Sequence, residues 1–325
     1  MDQLTSLLLS LLTLFLSISG VISTTTFTIV NKCDYTLWPG ILSNAGIAPL
    51  PTTGFVLQRG ESKTITAPTS WGGRFWGRTL CTQDSTGKFS CVTGDCGSGT
   101  IECGGSGATP PATLAEFTLN GAGGRDFFDV SLVDGYNVPM LIVPQGGTGQ
   151  NCTSIGCVVD LNGACPSELR VMSTDGKEGV ACKSACEAFG SPQYCCNGAY
   201  GTPDTCKPSS YSRIFKTACP RAYSYAYDDS TSTFTCASAD YIITFCPAPN
   251  TSQKSSEGQK TNSDNDGDEN YNPPPTSLPQ DNSGLVYEGG LLENSASPST
   301  CRHVLGSKGI VGIISIMVAF LLTCP

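Results

Sequence analysis

Cysteine constrains this chain more than any other residue type. Eighteen of its 325 positions are Cys, a density typical of chains made for an oxidising compartment and rare in the cytosol. Both ends agree. Leu7 to Ile18 form an apolar run of twelve residues that leads to small residues at Ser23. This is the pattern of a secretory signal peptide over residues 1–23, although its first residues carry Asp2 and no Lys or Arg. At the other end, Ile310 to Cys324 is apolar for fifteen residues. As a helix it would reach about 22 Å, short of a hydrocarbon core of about 30 Å. A polar spacer over residues 298–309 precedes it, and before that come the small residues Asn294, Ser295, Ala296 and Ser297. Small residues, spacer and weak apolar tail predict a GPI-attachment signal with Asn294 or Ser295 as the attachment residue and 296–325 removed. The alternative is a short transmembrane tail.

Such processing leaves sixteen cysteines, all between Cys33 and Cys246, and removes His303, the single histidine. A mature chain without imidazole has no Ser-His-Asp or Cys-His nucleophile and no His-ligated zinc. Cys91-x4-Cys96-x6-Cys103 also lacks the Cys-x-x-Cys spacing of most zinc and redox motifs. No metal and no cofactor are therefore expected. Sixteen half-cystines allow about two million pairings, so spacing alone leaves their connectivity open.

Residues 24–249 read as one globular, mainly β domain. TTFTIVNK puts Phe27 and Ile29 on one face, and KTITAP, RFWGRTL, ATLAEFTLN and RDFFDVSLV are further β-prone runs between Gly, Pro and Asn clusters. SELRVMST is the best helix candidate, and ACKSACEAFG predicts a short helix ending at Gly190. Many short strands in one domain predict a β-sandwich. Residues 250–295 are polar, Pro-rich and acidic, with eight Asp/Glu against two Lys. They cannot bury a core and are expected to form a disordered stalk. An EF-hand reading of Asn262 to Gly267 fails, because the twelfth position is Pro273 and not Glu. Asn151 and Asn250 head N-glycosylation sequons.

The run GKFSCVTGDCGSGTIEC carries Gly87, Phe89, Cys91, Thr93, Gly94, Asp95, Cys96, Gly99 and Cys103. It fits the pattern G-x-[GF]-x-C-x-T-[GA]-D-C-x(1,2)-G-x(2,3)-C at every position. The chain thereby resembles the plant thaumatin-like family, as do FWGRTLC, FFDVSLVDGYNVPM, QYCCNGAYGTPDTC and AYSYAYDDSTSTFTC. The resemblance spans residues 25–246. It implies a flattened β-sandwich (25–78, 114–157 and 220–246), a disulfide-rich lobe with short helices (158–219) and a small loop lobe (79–113). It also implies eight disulfides, Cys33–Cys246, Cys81–Cys91, Cys96–Cys103, Cys152–Cys236, Cys157–Cys219, Cys165–Cys182, Cys186–Cys195 and Cys196–Cys206.

Members of the family often share one Arg and four acids along a cleft between sandwich and disulfide-rich lobe. The matching positions here are Arg74, Glu116, Asp129, Asp134 and Asp228, with Asp229 adjacent to the last. Carboxylates accept hydrogen bonds from sugar hydroxyls in pairs, and Arg74 can orient one of them. Phe128, Tyr136, Tyr223 and Tyr225 are candidate stacking rings, and for any one of them an ordinary place in the core is the stronger expectation. The resemblance implies β-1,3-glucan or another wall polysaccharide as ligand, in defence against fungi or in wall remodelling. Two alternatives stand beside it: a weak endo-β-1,3-glucanase with Glu116 as acid and Asp134 as its partner, or a protein-interaction module that ignores glucan.

Residues 25–250 hold 14 Lys/Arg and 18 Asp/Glu. That balance argues against lysis of anionic membranes, and no basic patch invites nucleic acid. The expectation is a monomer in the apoplast or cell wall, held to the outer face of the plasma membrane through a GPI lipid.

Overall fold

A computed structural model describes residues 24–248. The expected signal peptide, stalk and anchor signal, and Asn250, lie outside the described residues. The alternation of the β-prone runs becomes two packed sheets. The first has the order β3 (Ser62–Pro68), β1 (Thr24–Asn31), β13 (Asp240–Phe245), β8 (Met140–Gln145) and β9 (Ile155–Cys157). Its β1–β13 pair is parallel and the others are antiparallel. The second sheet is antiparallel, in the order β12 (Phe234–Cys236), β7 (Asp126–Ser131), β6 (Leu114–Thr118), β4 (Gly72–Gln83) and β2 (Trp38–Ser43), with β5 (Phe89–Thr93) paired to the far end of β4.

The inner faces supply the core. Phe27, Ile29, Tyr241 and Ile243 of the first sheet meet Phe75, Phe117, Phe128 and Val130 of the second. Ring centroids lie 4.8 Å apart for Phe27–Phe75 and for Phe27–Phe117, and 5.0 Å apart for Phe117–Tyr241. Edge-to-face and tilted contacts of this kind add to the burial of apolar area. Phe128 and Tyr136 are buried here, so these two expected stacking rings belong to the interior.

Outward-facing residues of the second sheet have two fates. On one half, the small loop lobe covers Trp76 and Leu114 with Cys96, Cys103 and Ala112. Arg78 is fully buried there and donates to the carbonyls of Trp38, Pro39 and Ile101. The other half carries Arg74, Glu116 and Asp129 and stays open as the floor of a cleft.

Eight disulfides close the domain, the same eight pairs that the resemblance implies. Cys33–Cys246 spans 213 residues and ties the two ends of the domain together. In the disulfide-rich lobe, the segment expected to be a helix, SELRVMST, contains instead β10 (Arg170–Met172), paired with β11 (Gly179–Cys182). An isolated two-turn helix is marginal, and the Cys165–Cys182 bridge holds the two segments side by side. The second expected helix forms over Ala185–Phe189, with Ser184 capping its start and Gly190 ending it in the left-handed conformation.

Candidate functional site: an acidic cleft

The cleft floor follows from register. Arg74 on β4 stands opposite Glu116 on β6, and Glu116 stands opposite Asp129 on β7. Side chains of directly opposed residues share one face of a sheet, with Cβ atoms about 5 Å apart. Each of the three is flanked by core residues (Phe75, Ala115 and Phe117, Phe128 and Val130), so strand alternation turns the three outward together. Arg74 Nη1 lies 3.5 Å from Glu116 Oε1, with both side chains about one-third exposed. Arg74 Nε is buried and has no hydrogen-bond partner among the described residues.

The walls come from two loops. Asp134 follows β7, and its backbone carbonyl accepts from Ala112 N. Gly135, next in sequence, has φ +87°, and a Cβ there would lie 2.6 Å from the carbonyl oxygen of Cys182. Tyr136 then exchanges two backbone hydrogen bonds with Cys182, locking the loop to the disulfide-rich lobe. The opposite wall is the 220–229 loop. Tyr223 N donates to Val130 O, and Leu132 N donates to Tyr223 O. The Tyr223 hydroxyl donates to Asp229 Oδ1 and contacts Thr233 Oγ1. Arg74, Glu116, Asp129, Asp134, Tyr223 and Asp229 all line the resulting cleft, whose volume is ≈ 410 Å³.

Asp228, an expected cleft residue, does not line it. Its carboxylate is buried, 2.9 Å from Lys216 Nζ, and accepts from Ser224 N and Ser224 Oγ. The neighbouring Asp229 takes the cleft position. The serine four residues before Asp228 was the available signal: a loop that folds back on itself uses the acid as its own acceptor. Tyr225 lies off the acid row, in a narrow crevice that also contacts Val133. Asn151 is exposed.

Electrostatics set the carboxyls apart from ordinary surface acids. Burial raises Asp129 well above the usual range, the opposing Glu116 and nearby Asp229 raise it further, and Arg74 offsets part of this. Burial also raises Glu116, with Arg74 opposing and Asp134 adding to the shift. Asp134 is raised by burial against the pull of Arg74. One guanidinium, in contact with a single carboxylate oxygen, does not neutralise three crowded acids. These acids therefore take up protons at higher pH than exposed carboxyls do, and a protonated carboxyl both donates and accepts hydrogen bonds.

Comparison with known proteins agrees with this architecture. The chain is 62% identical over 229 residues to thaumatin-like protein 1 of Arabidopsis thaliana, covering 69% of this chain and 86% of that protein. It is 58% identical over 230 residues to pathogenesis-related protein 5 of the same plant, covering 70% and 93%. To the PR5-like receptor kinase of that plant it is 56% identical over 245 residues, covering 74% of this chain but 37% of the kinase. The profile of the Thaumatin family matches residues 31–247, and the chain belongs to that family.

Proposed function

We infer that the acidic cleft binds the glucose units of a β-1,3-glucan in fungal or plant cell walls, in defence or wall remodelling. The observation that carries this reading is the row Arg74–Glu116–Asp129, which faces an open groove with Asp134, Asp229 and Tyr223 on its walls. Its size suits a few sugar units. Carboxylates accept hydrogen bonds from sugar hydroxyls, and the half-buried Tyr223 presents a ring and a hydroxyl together. The pathogenesis-related name of the relative quoted above supports a role in defence. The protein is secreted and held at the outer face of the plasma membrane by a GPI lipid beyond an acidic stalk. Release from membranes by phosphatidylinositol-specific phospholipase C tests the anchor, and retention despite an accessible anchor points to a transmembrane tail.

A second reading, slow hydrolysis of the same glucan, is favoured by the raised Glu116. A general acid needs a carboxyl raised in this direction, and Asp129 or Asp134 would be the partner. Both readings are tested with insoluble β-1,3-glucan and soluble laminarin. Wild type is expected to sediment with the insoluble glucan and Glu116→Gln to sediment less. Reducing sugar released by wild type but not by Glu116→Gln supports hydrolysis; binding without release by either removes it. Protein left in the supernatant defeats the glucan reading and favours a protein partner.

A further inference from the structure

A second groove lies on the disulfide-rich lobe. Val133, which lines the acidic cleft, also lines a crevice of ≈ 20 Å³ with Tyr225, Ser184, Tyr194 and Lys207. Tyr194, Lys207 and Gln193 of that crevice, together with Tyr200 and Thr205, also wall the second groove, whose volume is ≈ 410 Å³. Two of its lining residues, Tyr194 and Tyr200, are aromatic. Tyr200 is 39% exposed, and Phe189 beside Tyr194 is 42% exposed. Single exposed apolar residues need no explanation, whereas rings gathered along a groove mark a contact surface.

The platform is rigid. Phe189, Tyr194 and Tyr211 pack on one another with centroids 5.2–5.9 Å apart. The Cys186–Cys195 and Cys196–Cys206 bridges flank Tyr194 in the chain. Tyr200 ends the 3-10 turn Gly198–Tyr200, and the next residue, Gly201, accepts a 2.7 Å hydrogen bond from the Tyr227 hydroxyl. Tyr227 belongs to the loop that sends Tyr223, Ala226 and Asp229 into the acidic cleft. The loop that lines the acidic cleft is thereby bonded to the residue that follows Tyr200. Rings fixed in advance lose little freedom on binding.

The chemistry of the second groove differs from that of the first. Tyrosine rings sit beside a carboxamide, hydroxyls and an ammonium, and among the described residues no carboxylate lines it. A pyranose ring matches such a surface, with its C–H face on an aromatic ring and its rim of hydroxyls on the polar groups. We propose that this groove is a distal subsite taking pyranose units of the same polysaccharide chain whose other units lie in the acidic cleft. The proposal rests on the polysaccharide reading of the cleft. It predicts that affinity depends on chain length, because a chain long enough to reach both grooves binds the second at high effective concentration.

The test is calorimetric titration of the folded domain with β-1,3-linked gluco-oligosaccharides of two to ten units. Wild-type affinity is expected to step upward at the length that spans both grooves. Tyr200→Ala should abolish the step, weakening the longest oligosaccharides by about three- to tenfold while leaving the shortest unchanged. Lys207→Ala, at a second exposed position, should flatten the step in the same direction. Binding of short and long chains with equal affinity by wild type, or equal weakening at all lengths by Tyr200→Ala, overturns the distal subsite and leaves the cleft reading standing. No binding at any length, together with no sedimentation on insoluble glucan, overturns both.

Discussion

Asp129→Asn should make the domain more stable at neutral pH. Asp129 faces Glu116 across neighbouring strands, and like charges so opposed cost a few tenths to about 1 kcal/mol. Partial burial of the carboxylate adds a further cost of about 1 kcal/mol. Asn keeps the shape and loses the charge, so a gain of about 1–2 kcal/mol is expected. For a domain of this size that is a rise in Tm of roughly 2–8 °C. The effect must depend on pH, because the Asp129 carboxyl is raised well above its ordinary value by burial and by Glu116. A carboxyl whose folded pKa exceeds its unfolded one stabilises the fold fully below the unfolded value, about 3.9. That contribution is lost as pH climbs through the folded value. Wild type and variant should therefore melt together near pH 3 and diverge as the solution approaches neutrality, with the variant higher. Scanning calorimetry of the oxidised domain from pH 3 to 8 measures the gap. A gap that is absent, reversed, or constant across this range refutes the claim that the acid row is held at the expense of stability. The same variant should bind glucan more weakly, which would mark the row as kept for binding and not for folding.

Lys216→Met leaves Asp228 buried without its 2.9 Å partner and should cost about 3–5 kcal/mol in chemical denaturation. Adding Asp228→Asn should restore much of that loss, and failure to do so removes the ion pair as its cause. Gly135→Ala brings a Cβ to 2.6 Å from the Cys182 carbonyl at φ +87°. It should destabilise by about 1–3 kcal/mol and shift Asp134. Unchanged melting and unchanged glucan binding would show that the Asp134 loop has slack at that point.

How far the sequence discloses the site can be judged residue by residue. DFFDVS alternates, so Asp129 is readable as an outward residue between core positions, and Glu116 in LAEFT likewise. Their meeting in one row with Arg74 is not readable, because strand register depends on the pairing of segments far apart in the chain. YAYDD shows two adjacent acids, and Ser224, four residues before Asp228, is the one local mark that separates them. Lys216, on the helix Ser210–Ala218, draws Asp228 inward and leaves Asp229 to the cleft. SELRVMST has helical composition, yet a disulfide and a hairpin partner from residues 179–182 make part of it a strand. Phe128 and Tyr136 have the chemistry of sugar-stacking rings, and only packing puts them in the interior.

The sequence by itself determined the oxidised, β-rich, disulfide-held character of the domain, because cysteine count and two-residue alternation are local properties of the chain. It also carried, in one seventeen-residue motif, the family to which the domain belongs. Tertiary structure alone decided which acids share a groove, which of two neighbouring aspartates is buried with a lysine, and that Phe189, Tyr194 and Tyr211 pack together on the disulfide-rich lobe. Those outcomes follow from contacts between segments distant in sequence. Their electrostatics and burial come into being only when the sheets pack and the lobes close.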